Sequence, residues 1–184
     1  TEAGVTSYLS NATQMSFSVW FNLDAAAINK GIFDDQNVHF AVYTKSVSGD
    51  NYSLRINLNG SANRFQLSGT PFTAGQWHNL VMTFNAGTLL FYVDGNSAGY
   101  VVYSGSKPSS LSSSSAKLEI GRAASTLFWD GKIDEPAIYL TELTSDQVTT
   151  IYNGGVPGDL TSLNPVAWYR FEEGSGTTAI DAGS

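Results

Sequence analysis

The chain of 184 residues contains no cysteine. Neither disulfides nor thiolate metal sites can therefore contribute to its stability. At this length a chain buries enough surface to fold without such cross-links, so we expect a single domain. No apolar run approaches the roughly 20 residues of a membrane span, and residues 1–9 carry neither an initiator Met nor a signal-peptide pattern. We therefore expect no membrane partner, and a chain that is processed or excised from a larger polypeptide with other domains.

Positive charge is also scarce. Nine Lys and Arg face sixteen Asp and Glu, which gives a formal net charge of −7, and no basic cluster occurs along the chain. Nucleic acids and anionic membranes recruit proteins through a positive surface, so both are poor partners. The acidic groups could instead hold a hard cation such as calcium.

Short segments of alternating apolar and polar residues dominate the chain, separated by Gly, Asn, Asp and Ser. Residues 52–59, YSLRINLN, predict a strand with one apolar face and one solvent-facing polar face. In residues 17–23, FSVWFNL, Trp20 is the single large group on the second face. Several other segments are apolar on both faces, which implies two stacked sheets. The sequence therefore predicts a β-sandwich.

Turn-forming and helix-capping residues lie between these segments. Asp94 and Gly95 lie between two apolar segments and predict a tight hairpin, because type I′ turns require positive φ. One helix is expected near the C-terminal end. Thr144 and Gln147 form a capping box at its start, and Gly154 is placed to end it.

Three phrases carry a resemblance to a known family: FSVWFNLD, GQWHNLVMTFN with LLFYVDGNSAG, and LEIGR with FWDGKIDEPAIYLTELTSDQVTTIYNGG. In spacing and residue type they resemble the laminin-G-like, concanavalin A-like lectin/glucanase jelly rolls, over roughly residues 5–155. The resemblance implies an all-β fold, a two-sheet antiparallel jelly-roll sandwich with one short helix.

The last residues resemble the opening of such a domain. Residues 167–184, AWYRFEEGSGTTAIDAGS, match the family's aromatic opening strand, Gly-rich turn and Asp, whereas the N-terminus matches the family's second segment. We predict a jelly-roll domain over residues 1–158, then a linker and closing strand over residues 159–184. That strand is a permuted closure of the same sheet, the start of a next repeat, or a strand donated to another subunit.

The resemblance also implies a structural calcium at Asp134, with Asp181 of the opening-like segment as a further metal ligand. Calcium takes six to eight oxygen ligands, and no EF-hand-type loop supplies them locally. Several segments would therefore have to contribute. A purely hydrogen-bonded or salt-bridged role for Asp134 stays open.

Two places are candidates for ligand contact. Trp129 lies at a loop-to-strand junction beside Asp130, where an exposed aromatic face could stack on a sugar ring. Asp34, Asp35 and Asn37 lie on a turn before a strand and could hydrogen-bond sugar hydroxyls, although ordinary turn chemistry is the commoner role of such residues. The remaining tryptophans are expected in the core: Trp20, Trp77 and Trp168. N-glycosylation sequons, relevant only in a eukaryotic secretory pathway, begin at Asn11, Asn51 and Asn59.

Glycosidase chemistry is disfavoured by the arrangement of the acids. Hydrolysis requires two carboxylates about 5–9.5 Å apart across the scissile bond. Asp134 and Glu135 are adjacent, so an unbroken strand would point them to opposite faces. The glucanase signature Glu-x-Asp-x-x-Glu, which the family's enzymes carry, is absent.

The resemblance therefore implies a non-catalytic carbohydrate-binding or adhesion module with a structural calcium. Such a module would lie outside the cell or on a cell or virion surface, and would bind a glycan or another cell-surface ligand. The alternative is a structural or interaction module of a larger surface or virion assembly with no glycan ligand.

Overall fold

A computed structural model describes residues 2–36, 39–48, 51–69, 72–113 and 116–184. One α-helix, α1, spans Ser145–Tyr152. The strands, in chain order, are β1 Glu2–Val5, β2 Gln14–Leu23, β3 Gly31–Asp34, β4 Phe40–Ser48, β5 Asn51–Leu58, β6 Asn63–Leu67, β7 Trp77–Asn85, β8 Thr88–Val93, β9 Asn96–Ala98, β10 Tyr100–Ser104, β11 Lys117–Ile120, β12 Arg122–Ala123, β13 Leu127–Phe128, β14 Gly131–Tyr139 and β15 Ala167–Trp168.

The strands form two large antiparallel sheets. The seven-stranded sheet has the order β1-β11-β3-β4-β5-β6-β10, and the six-stranded sheet has the order β15-β14-β2-β7-β8-β9. The short strands β12 and β13 form a separate hairpin. The predicted all-β, two-sheet jelly-roll sandwich with one short helix is therefore confirmed. No helix in the described ranges is long and apolar enough to cross a bilayer.

Phenylalanine rings join the two sheets. Phe17 of β2 stacks on Phe40 of β4 with ring centroids 5.4 Å apart, and its edge meets Phe33 of β3 at 5.7 Å. All three side chains are fully buried. Because side chains alternate along a strand, burying Phe17 also points Trp20 to the other side of its sheet. The predicted two faces of this strand are confirmed.

The outer face of the six-stranded sheet is covered by α1. Trp20 stacks on Tyr152 of the helix, with ring centroids 5.8 Å apart. Thr144 and Gln147 form the expected capping box, and Asn153 ends the helix in the left-handed conformation, one residue before the predicted Gly154. A second apolar cluster lies here: Val81, Ala137, Tyr139, Leu143, Val148, Ile151, Leu160 and Trp168.

The predicted hairpin at Asp94 and Gly95 is confirmed, since both have positive φ, 52° and 73°. Two other expectations were wrong. The polar face of β5 is buried rather than solvent-facing, because neighbouring strands and their side chains cover Arg55 and Asn57. Trp77 begins β7 at the end of the sheet, where its side chain is 42% exposed.

The segment that resembles a domain opening pairs with its own chain. β15 runs antiparallel to β14, with Trp168 opposite Ala137, and forms an edge of the six-stranded sheet. The chain then turns back, and Ala182 N donates to Trp168 O at 2.7 Å. Leu160, in the region predicted as a linker, is buried in the cluster under α1. The division of the chain at residue 158 stays a prediction.

We predict that Trp168→Ala lowers the free energy of unfolding by about 3–5 kcal/mol, the usual cost of truncating a buried Trp. Trp168 is 5% exposed and its indole N–H donates to Glu135. The half-exposed Trp77→Ala is the matched control and should cost less than about 1 kcal/mol. Chemical denaturation measures both. A loss of less than about 1 kcal/mol in Trp168→Ala would show that the Trp168 side chain adds little to the stability of the sheet.

Candidate functional site

Two concave regions are candidates for a ligand. The first, called the sheet groove, has a volume of about 270 Å³ and lies on the outer face of the seven-stranded sheet. The second, called the edge cleft, has a volume of about 760 Å³ and lies beside β14 and β15. The sheet groove is lined by Asn29, Asp34, Ala41, Tyr43, Lys45, Arg55, Asn57, Ser61, Arg64, Ala123, Ala124 and Leu127. The edge cleft is lined by Asp134, Glu135, Pro157, Gly158, Asp159, Thr161, Trp168, Arg170, Phe171, Glu172 and Ala182.

Strand register builds the floor of the sheet groove. Tyr43 of β4 lies opposite Arg55 of β5, and Asn57 of β5 lies opposite both Ala41 and Arg64 on its two neighbouring strands. Their neighbours in sequence, such as Val42 and Ile56, point into the core. The alternation that buries the apolar side chains therefore places the polar ones together on the outer face.

The hairpin of β12 and β13 forms one wall of the sheet groove. It crosses β3 so closely that a Cβ atom on Gly31 would collide with the backbone of Ala123, which explains the glycine. Asp34 Oδ2 accepts a hydrogen bond of 2.6 Å from Ala124 N in the hairpin turn. This buried carboxylate therefore holds the wall in place.

Hydrogen bonds orient the polar groups of the floor. Tyr43 Oη donates to Asn57 Oδ1 at 3.3 Å, and Lys45 Nζ donates to Asn29 Oδ1 at 2.5 Å. Arg55 Nη2 donates to the side-chain oxygen of Gln66 at 2.5 Å. Hydroxyl, amide and guanidinium groups held by rigid strands are the groups that fix a polar ligand in one orientation.

The edge cleft is rich in carboxylates. Asp134, Glu135, Asp159 and Glu172 line it together with a single cation, Arg170. Glu135 has a φ of 51°, and the register of β14 against β2 shifts between Asp134 and Ala137. This β-bulge breaks the alternation of the strand and brings two successive carboxylates to one cleft. The expectation that they point to opposite faces was therefore wrong.

Burial raises the pKa of Asp134 and of Glu135 above their ordinary values. For Glu135 the hydrogen bond from the Trp168 indole opposes this rise, and the neighbouring Asp134 charge adds to it. For Asp134 the backbone N–H of Glu135 opposes the rise, while Glu172 adds to it. Both ionised groups are thus less well solvated in the fold than in water.

Asp181 holds the returning chain to β15. Its Oδ1 accepts hydrogen bonds from Trp168 N at 2.8 Å and from Gly183 N at 2.9 Å, and Tyr169 Oη lies 3.3 Å from its Oδ2. Among the described residues, no three His, Asp or Glu side chains converge into a group that could hold a metal ion. Calcium at Asp134 and Asp181 stays a prediction.

The predicted ligand residues are dispersed. Asp34 lines the sheet groove, whereas Asp35 is fully buried and accepts hydrogen bonds from His39 and from Phe40 N. Trp129 Nε1 donates to Lys132 O at 3.1 Å, and its ring meets Phe21 edge-on. Asp130 is exposed and pairs with Lys30 at 3.4 Å. Asn37 lies outside the described residues.

Residues 3–149 match the family described as the concanavalin A-like lectin/glucanases superfamily. The chain belongs to this superfamily. No curated protein matches the sequence.

Solved structures of the same fold include three sugar-binding or candidate sugar-binding proteins. The first is a candidate carbohydrate-binding protein from Bacteroides ovatus, 14% identical, with a TM-score of 0.72 over 94% of this chain and 50% of that one. The second is domain 4 of AbnA, an extracellular arabinanase of Geobacillus stearothermophilus in complex with arabinotriose, 22% identical, with a TM-score of 0.55 over 76% and 66%. The third is the CBM40 of the Ruminococcus gnavus IT-sialidase bound to α2,3-sialyllactose, 11% identical, with a TM-score of 0.58 over 83% and 94%. The chain thus spans half of the Bacteroides chain and about two thirds of the arabinanase domain chain. These likenesses show the superfamily fold.

Sequence reasoning missed most of the sheet groove in this superfamily member. Tyr43, Lys45, Arg55, Asn57 and Arg64 lie on three strands and meet through register alone. One signal was available: Arg55 and Asn57 occupy the polar positions of a strand whose alternation is clear. Their neighbours on other strands cannot be assigned without the pairing.

We predict that Glu135→Gln stabilises the protein at neutral pH and not in acid. Burial raises the folded-state pKa of Glu135 above 4.5, so the native state binds the proton more tightly than the unfolded chain. The contribution of Glu135 to the free energy of unfolding therefore falls as pH rises from about 4.5 through its folded-state pKa. The variant should melt above wild type near pH 7, and the difference should vanish near about pH 4.

Melting temperatures of both proteins, measured over this pH range, test the prediction. Asp24→Asn removes one exposed negative charge elsewhere and controls for the change in net charge. A constant difference between Glu135→Gln and wild type at every pH would contradict it.

Proposed function

We propose that this protein is a non-catalytic carbohydrate-binding module that binds a glycan in the sheet groove. The observation that carries the proposal is the composition of the groove floor, where Tyr43, Asn57 and Arg55 are held on adjacent strands. Sugar hydroxyls need paired donors and acceptors in a fixed geometry, and a ligand site of this kind is pre-formed on rigid elements.

The solved structures support the proposal at the level of the fold. The arabinanase domain and the sialidase module each bind a glycan, and both share this sandwich. The arabinanase is an extracellular enzyme. We therefore also propose that the present module acts outside the cell or at a cell or virion surface, in adhesion or beside other domains of a larger polypeptide.

The state of the edge-cleft carboxylates favours binding over catalysis. Glu135 accepts a hydrogen bond from the Trp168 indole and lies 3.9 Å from Arg170 Nε, so it serves the packing of β15 on β14. The β-bulge removes one argument against a glycosidase, but the missing Glu-x-Asp-x-x-Glu signature remains another. We therefore expect no release of reducing sugar when the protein is incubated with a polysaccharide that it binds.

We predict that Tyr43→Phe weakens glycan binding about tenfold, the equivalent of roughly 1.4 kcal/mol for one hydrogen bond. The change removes the hydroxyl that orients Asn57 and leaves the ring in place. Tyr92→Phe, a half-buried tyrosine of β8 in the other sheet, is the matched control.

A panel of immobilised oligosaccharides identifies a ligand for wild type, and titration calorimetry then compares the variants. Both variants should melt within a few degrees of wild type. Equal affinity in all three proteins would place the glycan outside the sheet groove, and no binding to any member of the panel would contradict the proposed function.

We further propose a structural calcium at the edge cleft, with Asp134 as one ligand. Four carboxylates line this cleft, although no three of them converge, so backbone carbonyls and water would have to complete the coordination. Burial disfavours the ionised forms of Asp134 and Glu135. A bound cation would offset that cost, and carboxylate oxygens are the ligands that calcium prefers. Asp181 is a poorer candidate for a calcium ligand than Asp134, because Asp181 already accepts hydrogen bonds from the backbone of Trp168 and Gly183.

We predict that calcium raises the melting temperature of wild type and that Asp134→Asn removes this increment. A ligand at about 100-fold its Kd stabilises the native state by about 2.7 kcal/mol. Scanning calorimetry with calcium and with a chelator measures the effect, and Asp24→Asn serves as the control. A wild type that melts at the same temperature in both buffers contradicts the proposal.

A further inference from the structure

The sheet groove concentrates positive charge in an acidic protein. Three of the nine Lys and Arg side chains line it, namely Lys45, Arg55 and Arg64, against one carboxylate, Asp34. The edge cleft has the opposite balance, with four carboxylates and one Arg. Because the net charge of the chain is −7, the groove is a local exception to the charge of the whole protein.

Arg55 carries a buried charge that forms no ion pair with an acid among the described residues. The residue is 7% exposed, and its guanidinium lies over the Tyr103 ring, 3.6 Å from the centroid. Gln66 accepts one hydrogen bond, whereas Nε has no hydrogen-bond partner among the described residues. A buried guanidinium is costly unless an anion pairs with it. Arg55 lines the groove, so an anion bound there would lie beside this charge.

Arg64, on the next strand, is half-buried. Its buried Nε also has no hydrogen-bond partner in the described part of the chain. Within the described residues, the ion pairs of Lys and Arg join Lys30 to Asp130, Arg122 to Glu119, and Arg170 to Glu135 and Glu172. None of them involves Arg55 or Arg64.

Register brings these two like charges together. Arg55 lies opposite Gln66 on β6, two residues from Arg64. Such diagonal positions are roughly 7–8 Å apart in antiparallel sheets. Both positively charged side chains line the same groove, so an anion bound there would interact with both.

We propose that the ligand of the sheet groove is an acidic oligosaccharide, one that carries carboxylate groups as uronic or sialic acids do. The inference rests on the proposed function and names the glycan class. The planar guanidinium fork matches a carboxylate with two parallel hydrogen bonds. Tyr43 and Asn57, beside Arg55, supply a hydroxyl and an amide for the sugar hydroxyls. A long polyanion is disfavoured by the negative charge of the rest of the protein.

Matched glycan pairs that differ in charge alone test this inference with the full chain. The probes are a short oligogalacturonate and sialyllactose, each compared with the methyl ester of its own carboxylates. Wild type should bind the acidic member of at least one pair about tenfold or more tightly than the neutral member, since one charge-assisted hydrogen bond supports that ratio. The preference should fall as salt rises from about 0.01 M to about 0.15 M, because the screening length drops from about 30 Å to about 8 Å.

Arg64→Gln should reduce the acidic-over-neutral preference to about one, and Lys132→Gln, an exposed cation of the other sheet, should retain it. Arg55→Lys keeps the buried positive charge but removes the guanidinium fork, and it should give an intermediate preference. It replaces Arg55→Gln, which would put folding at risk by removing the charge. The measured melting temperature separates lost folding from lost binding.

Three outcomes overturn the inference: a neutral member bound as tightly as its acidic partner, an Arg64→Gln preference equal to that of wild type, or no binding to any probe. If one of the first two outcomes occurs but Tyr43→Phe still weakens glycan binding, the proposed function stands and only the inference about an acidic glycan is wrong. Failure to bind these probes and every glycan of the wider panel contradicts both.

Discussion

The contact between the two sheets is the constraint on which the rest of the structure depends. Phe17 of the six-stranded sheet stacks on Phe40 of the seven-stranded sheet and meets Phe33 edge-on. Once these rings are buried, the alternation of side chains leaves each strand one residue facing inward and the next facing outward. A register shift by one residue would bring polar groups into the core. The packing of the core therefore determines which side chains lie on the outer faces of the two sheets.

The outer faces of the two sheets carry different side chains and are covered in different ways. On the six-stranded sheet, Trp20 and Val81 are apolar and need a cover, which α1 supplies through Tyr152 and Ile151. On the seven-stranded sheet, the outward side chains are polar, and the hairpin of β12 and β13 covers them only in part. The close approach at Gly31 and the hydrogen bond from Ala124 to Asp34 hold that hairpin as a wall. The result is a groove whose floor and wall are both rigid.

At the edge of the six-stranded sheet, a β-bulge in β14 determines which side chains line the cleft. The β-bulge at Glu135 brings Asp134 and Glu135 to the same cleft, while Asp181 ties the returning chain to β15. Glu135 thus both helps to close the sheet, through its hydrogen bond with Trp168, and lines a negatively charged cleft. The two concave regions of the protein differ in sign, and this difference gives each its own expected ligand: a cation at the edge cleft and an acidic glycan in the sheet groove.

Local patterns in the sequence determined the strands, the Asp94–Gly95 hairpin and the capping box at Thr144, because each depends on residues close together in the chain. The two-sheet fold followed from strands that are apolar on both faces. The Phe-x-Val-x-Phe alternation of β2 was enough to assign its two faces. Only the tertiary structure decided the site. Tyr43, Arg55 and Arg64 meet because three strands pair in one register, and Asp134 joins Glu135 because a bulge breaks another. Pairing between distant segments is an energetic property of the whole core, so no single stretch of sequence encodes it.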